Sequence, residues 1–179
     1  MKNFEIKLSD YGFNILQIES YAACNMECSF CPYPLKDDKE SKLSLEDIDS
    51  INLKLHRERP LNGVLLPVNH GACLYIKRSV LEIVGGFDEF TFGRGYSEEI
   101  DLCLRLRKNG LHNVGCYFAF IQHVGGVSFG SKIDPLKLKN RKIIAEKYPK
   151  YFSEIGQFVT ELKRSKIFTD VCALIDSCI

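Results

Sequence analysis

Three cysteines, Cys24, Cys28 and Cys31, fall within the eight residues CNMECSFC. An iron–sulfur cluster needs thiolates that converge on one point from a short loop, and this spacing allows it. Three ligands leave one iron of a [4Fe–4S] cluster open, which is the arrangement for holding and cleaving a cofactor. The plainer alternative is an ordinary loop, or a zinc clip completed by His56 or His70. A second stretch, GRGYSEEIDLCLRLRKNG (residues 93–110), offers different chemistry. As a helix, Glu98, Asp101, Arg105 and Lys108 share one charged stripe, with Asp101 and Arg105 spaced for an ion pair. That stripe is expected to face water or a rim. Glu99 belongs to another row, with Leu102, Cys103 and Leu106, and so begins the inward-facing side. A carboxylate at a helix N-terminus is kept ionised by the helix dipole, as a general base requires. Upstream, GGFDEF and FGRGY, which includes Gly95, form a glycine-rich approach that lets backbone pass close to a ligand. On charge pattern alone the alternative is an exposed, salt-bridged helix.

The elements that must position these residues follow from local patterns. FNILQIES (residues 13–20) predicts a strand that delivers the chain to the cysteine loop. SLED, beginning at Ser44, is a capping box and predicts a helix to about Arg57. The polar run RERPLNG, carrying Pro60 and Gly63, is the best boundary. GVLLPV and ACLYIKR predict two strands. Ser79 is expected to cap a short helix ending at Gly85-Gly86, and Ser97 the next, ending at Gly110. VGCYFAFIQHV predicts a buried strand. Asp134-Pro135 predicts a capped helix start. Tyr151, Phe152, Ile155, Phe158, Val159 and Leu162 then form one apolar helical stripe. Strands alternate with helices, so the class is α/β. Asp47-Ile48-Asp49 has the letters of a metal-binding Asp-x-Asp but lies inside the Ser44 helix, as a solvated face.

Bulk properties narrow the function. The net charge of +1 gives no electrostatic case for nucleic acid or an anionic membrane. No apolar run reaches transmembrane length, and MKNFEIKLSD lacks a signal-peptide core. The cytoplasm is therefore the expected compartment. There the eight cysteines are thiols or metal ligands rather than disulfides. Cys73, Cys103, Cys116, Cys172 and Cys178 are expected to pack as small hydrophobes.

Two resemblances attach to these motifs. From Asn14 to Leu45 the chain resembles the radical S-adenosylmethionine family, with Cys24, Cys28 and Cys31 in its CxxxCxxC pattern. Asn25 after the first cysteine, Phe30 before the third, and Glu19 at the strand end also fit. The resemblance implies a [4Fe–4S] cluster that binds S-adenosylmethionine, with Phe30 beside the cofactor. The rest of that family's barrel, and its glycine-rich strand end, are absent from the string. From about Gly63 to Leu162, GACLYIKRSVLEIVGGFDE, GYSEEIDLCLRLRKNG, FIQHVGGVSFG and NRKIIAEKYPKYFSEIGQF resemble the acceptor half of a family 2 glycosyltransferase with the GT-A fold. That resemblance implies transfer of a sugar from a nucleotide-sugar donor to a saccharide hydroxyl. Glu99 stands at the base position, with Glu98 the less favoured choice, and Asp101 and Arg105 are scaffold positions of the same helix. His123 matches a histidine that helps bind Mg²⁺ or Mn²⁺ on the donor diphosphate. Read alone, it is more simply a core histidine. Gly71 and Ala72 match the segment beside the donor sugar, and Gly95 lies in the approach to it.

The expectation is an incomplete GT-A-like α/β domain over residues 63–163. Before it, residues 1–58 form a strand–cysteine loop–helix appendage, and residues 164–179 form a tail. The nucleotide-binding half of the family is missing, so a partner protein supplying it is one expectation. A cluster-binding protein and a non-catalytic binding module are the alternatives.

Overall fold

A computed structural model of the chain describes residues 5–7, 15–18, 44–58, 62–93, 95–116 and 133–177. Within them the chain is mixed α/β. The strands are β1 (Glu5–Lys7), β2 (Ile15–Ile18), β3 (Asn62–Leu66), β4 (Leu74–Ile76) and β5 (Asn113–Cys116). They form one sheet in the order β1-β3-β5-β2-β4. β5 runs parallel to β2, pairing Ile18 with Cys116, and antiparallel to β3, pairing Gly63 with Cys116. β4 is antiparallel to β2, with Leu74 opposite Gln17. One end of the sheet therefore gathers the finish of β2 and β5 and the start of β3 and β4.

The helices are α1 (Leu45–Glu58), α2 (Arg78–Val84), α3 (Glu89–Phe92), α4 (Glu98–Lys108), α5 (Ile133–Lys147), α6 (Tyr151–Lys163) and α7 (Lys166–Asp176). α1 begins with the expected capping box. Ser44 Oγ accepts from the Asp47 N–H at 3.1 Å, and Asp47 Oδ2 accepts from the Ser44 N–H at 3.0 Å. That bonding holds the Asp47 carboxyl below its ordinary range. It also places Asp47-Ile48-Asp49 inside a helix, as expected. Three caps differ from expectation. α2 starts at Arg78 with Lys77 as its cap, so Ser79 lies inside the helix. Ser97 does precede α4, but its side chain makes no capping bond. α5 begins at Ile133, so Asp134 falls within it rather than before it.

α4 is the centre of the packing. One side places Cys103 and Leu106 against Val80 of α2, with Leu74, Ile76 and Val68 around them. The other places Ile100 and Leu104 against Ile144, Tyr148, Tyr151 and Ile155. The aromatic stripe of α6 is core, as its periodicity predicted. Each large apolar side chain buried this way contributes roughly 1.5–3 kcal/mol. A separate cluster joins α1 to α7 through Ile51, Leu55 and Leu174, so the C-terminal segment packs on the N-terminal helix.

Gly115 sits in the middle of β5 because nothing larger fits. A Cβ there would lie 2.7 Å from Leu66 Cδ1 and 3.3 Å from Val64 Cγ1. Gly115→Val should lower stability by about 1–3 kcal/mol in urea unfolding, since overpacking forces neighbours off their rotamers. An unchanged midpoint would mean that β3 and β5 are not registered as described.

Candidate functional site

The site is built from the N-terminal turn of α4 upward. The chain enters α4 through an unusual backbone. Gly93 and Gly95 have φ of 67° and 137°, and the non-glycine residues Tyr96 and Ser97 have φ of 67° and 75°. Side chains disfavour the left-handed region, so two consecutive residues held there store strain. Asn140 of α5 holds them. Its buried amide Nδ2 donates to the carbonyls of Phe92, Gly95 and Tyr96 at 2.8, 2.8 and 2.9 Å. The glycine-rich approach therefore serves first to admit this turn. Gly95 is buried, and its carbonyl faces the Asn140 amide.

Glu98 and Glu99 emerge directly from the turn. Both are partly buried, and the Oε2 atom of each is shielded from solvent without a hydrogen-bond partner. Glu99 faces Gly71, whose added Cβ would lie 3.8 Å from Glu99 Cβ and Cγ. Gly71 lies three residues before β4, so this meeting lies near the end of the sheet where β5 finishes. Desolvation pushes the Glu99 carboxyl up to about 7, and the neighbouring Glu98 charge adds to it. The N–H groups of Ser97, Glu99 and Ile100 oppose that shift without cancelling it. The expectation of a Glu99 kept fully ionised by the helix dipole is thus corrected, because burial outweighs the dipole. The group is instead poised near neutrality.

Asp101 departs further from expectation. It does not face water. It is fully buried, and Oδ2 accepts from Arg105 Nε at 2.8 Å. Its Oδ1 accepts from the Tyr148 hydroxyl at 2.8 Å and pairs with Lys147 Nζ at 2.7 Å. Burial raises the Asp101 pKa, but the bonds from Lys147, Arg105 and Tyr148 outweigh it and leave the carboxyl below its ordinary value. The Tyr148 hydroxyl is pushed up correspondingly, by burial and by its bond to Asp101. The expected ion pair of Asp101 and Arg105 is present. Arg105 also donates to the Val84 and Gly86 carbonyls at the end of α2, the latter at 2.6 Å. Both residues act as scaffold, Asp101 from the interior and Arg105 from a partly exposed position.

Ala72 is exposed, and its N–H donates to His70 Nδ1 at 3.1 Å. His123, Cys24, Cys28, Cys31 and Phe30 lie outside the described residues. Among the described residues no three His, Cys, Asp or Glu side chains converge as a metal site. Cys103 and Cys116 are buried, and burial lifts the Cys103 thiol to about 12, so it is inert. Cys73 and Cys172 are only partly buried. No described helix is long and apolar enough to cross a membrane. An open depression of about 400 Å³, lined by Leu65, Pro67, Arg107, His112 and Phe158, lies at the far end of α4. Its α4 lining residue, Arg107, stands eight residues of helix, about 12 Å, beyond Glu99.

Asn140, Lys147 and Tyr148 escaped the sequence reading. A signal was available, since Asn140 is the polar member of a row it shares with the buried Ile144 and Tyr148.

No family model and no solved structure matches the chain. An uncharacterised protein of Sinorhizobium fredii is 39% identical over 66 residues, which are 37% of this chain and 7% of its own length. Uncharacterised proteins of Mycobacterium tuberculosis and Mycobacterium bovis are 39% identical over 61 residues, 34% of this chain and 23% of theirs. The chain spans less than a quarter of the length of these curated relatives.

A carboxyl whose folded pKa exceeds its unfolded value stabilises the fold below the unfolded value. That contribution is lost as pH rises through the folded one. For Glu99 the window runs from 4.5 to about 7. Glu99→Gln should therefore be more stable than the parent at pH 8, by on the order of 1–3 kcal/mol, and little different at pH 4. Denaturant midpoints at the two pH values check this. A variant less stable at pH 8 would show that the Glu99 site is not desolvated.

Proposed function

We propose that the chain is a glycosyltransferase-like domain that transfers a sugar from a nucleotide-sugar donor to an acceptor hydroxyl, with Glu99 as the base. One observation carries this reading: a carboxyl poised near pH 7, with a shielded and unpartnered oxygen, faces Gly71 at the mouth of a strained helix N-terminus. A base works best when its pKa lies near the working pH. Buried unpaired acceptors and left-handed non-glycine residues gather where function outweighs stability.

In the proposed step Glu99 takes the proton of the acceptor hydroxyl. The freed oxygen forms a bond to the anomeric carbon. The bond from that carbon to the diphosphate breaks, and its electron pair leaves with the nucleoside diphosphate. The proton on Glu99 is then released to water. A divalent cation, when bound, would supply charge for the leaving diphosphate. Mg²⁺ or Mn²⁺ is commonly held by one or two carboxylates together with substrate phosphates. By the resemblance His123 would be one ligand of that cation, while among the described residues no carboxylates converge as a metal site. Asp101 and Arg105 position α4, Gly71 and Ala72 would lie beside the donor sugar as the resemblance implies, and Gly95, buried against Asn140, shapes the turn. A nucleotide-binding partner protein would complete the site.

Glu99→Gln should lower metal-dependent sugar transfer by about 10²–10⁴-fold, with parental kcat/KM rising as pH increases through about 7. Transfer that survives the substitution, or a profile flat across neutrality, overturns the assignment.

A second reading rests on the cysteine spacing. Cys24, Cys28 and Cys31 would hold a [4Fe–4S] cluster that binds S-adenosylmethionine, and β2 ends six residues before Cys24. Protein reconstituted without oxygen should then carry about four irons and four sulfides per chain, lost in Cys24→Ala. An iron-free product removes this reading and leaves the first untouched.

A further inference from the structure

We infer that Asn140 is a positioning residue. By tying the left-handed turn to α5, it fixes the Glu98–Glu99 pair in its shielded place beside Gly71. This deepens the function proposed above and rests on it for its purpose, although its geometry stands apart from any substrate.

Three carbonyl oxygens, from Phe92, Gly95 and Tyr96, converge on one amide nitrogen within 2.9 Å. Carbonyls that point at one another repel, so a donor must sit between them. Asn140 Nδ2 carries two hydrogens for three acceptors, so at least one bond is shared. An aspartate there would set a negative charge against three carbonyl dipoles. A helix-interior asparagine is a poor helix former, and its own Oδ1 stays buried without a partner. Neither α5 nor the core gains from it, whereas the turn gains all three bonds. Immediately after the turn come the two carboxylates, so a shift of Tyr96 and Ser97 moves Glu98 and Glu99 directly. The rest of α4 is held independently by Asp101, Lys147 and Tyr148. Releasing Asn140 would thus free the turn while leaving the helix docked.

The ionisable groups that act on Glu99 include Glu98, its neighbour on α4, and the Cys103 thiol one turn along. Gly71 is the neighbour of Glu99 on the strand side, its added Cβ lying 3.8 Å from Glu99 Cβ and Cγ. Opening the turn admits water to the carboxyl.

The experiment is a ¹³C NMR titration of the Glu99 side-chain carboxyl, with thermal midpoints recorded in parallel. It compares the parent, Asn140→Ser, which keeps one donor, and Tyr148→Phe, which removes a bond from α4 but none from the turn. The comparison is repeated in the Ser97→Gly background. There the left-handed strain is relieved, so loss of Asn140 is better tolerated. The Glu99 midpoint should fall by about one unit or more in Asn140→Ser and stay in place in Tyr148→Phe, although both lose thermal stability. An unmoved midpoint in folded Asn140→Ser overturns the inference. So does an equal fall in Tyr148→Phe, or a parental midpoint already in the ordinary carboxylate range. No donor or acceptor enters this titration, so its outcome is separate from whether sugar is transferred.

Discussion

A carboxylate removed from water must find its compensation inside the protein, and Asp101 does so completely. Its two oxygens take bonds from Arg105, Lys147 and Tyr148, which come from α4, from the end of α5 and from the residue after it. Arg105 passes the constraint on to α2 through the carbonyls of Val84 and Gly86. One buried charge therefore locks the central helix to both of its neighbours. Removing one partner from such a network costs far more than the pair gains over an apolar replacement. The network specifies an arrangement more than it adds stability.

With α4 locked, its N-terminal turn can be strained without displacing the helix. The turn has no capping side chain and two left-handed non-glycine residues, and it presents two partly buried carboxylates without full hydrogen bonding. Each of these costs free energy in isolation. They are concentrated within four residues, at the end of the sheet where β5 and β2 finish and β4 begins. In open α/β sheets that is where ligands commonly bind. The paired aromatic and apolar rows of α5 and α6 close the opposite side of α4 and keep it dry.

Local signals were legible, and long-range ones were not. Ser44 and Asp47 are three residues apart and read directly as a capping box. The α6 stripe read as core because helical periodicity records burial. Asp101 read as solvent-facing because the pattern shows charge but not partners, and its partners lie 46 and 47 positions further along. Ser97 read as a cap because its residue type suits one, whereas its left-handed backbone is imposed by Asn140 from 43 residues away. The Gly71–Glu99 meeting became visible only once β4 and α4 were placed. Glu99 itself was found from its row, but its poise near neutrality came from burial that no spacing reports.

The most direct test uses Mn²⁺ as a paramagnetic probe. Amide spectra of the full chain would be followed while Mn²⁺ is added with a nucleoside diphosphate, and again with Mg²⁺ in its place. Distance-dependent broadening centred on Gly71 and on Ser97 to Glu99, reversed by Mg²⁺, is the result expected if the leaving diphosphate binds beside the start of α4. Broadening centred on the depression at the far end of α4, or none without added partner protein or with it, would contradict a glycosyltransferase site at the start of this helix.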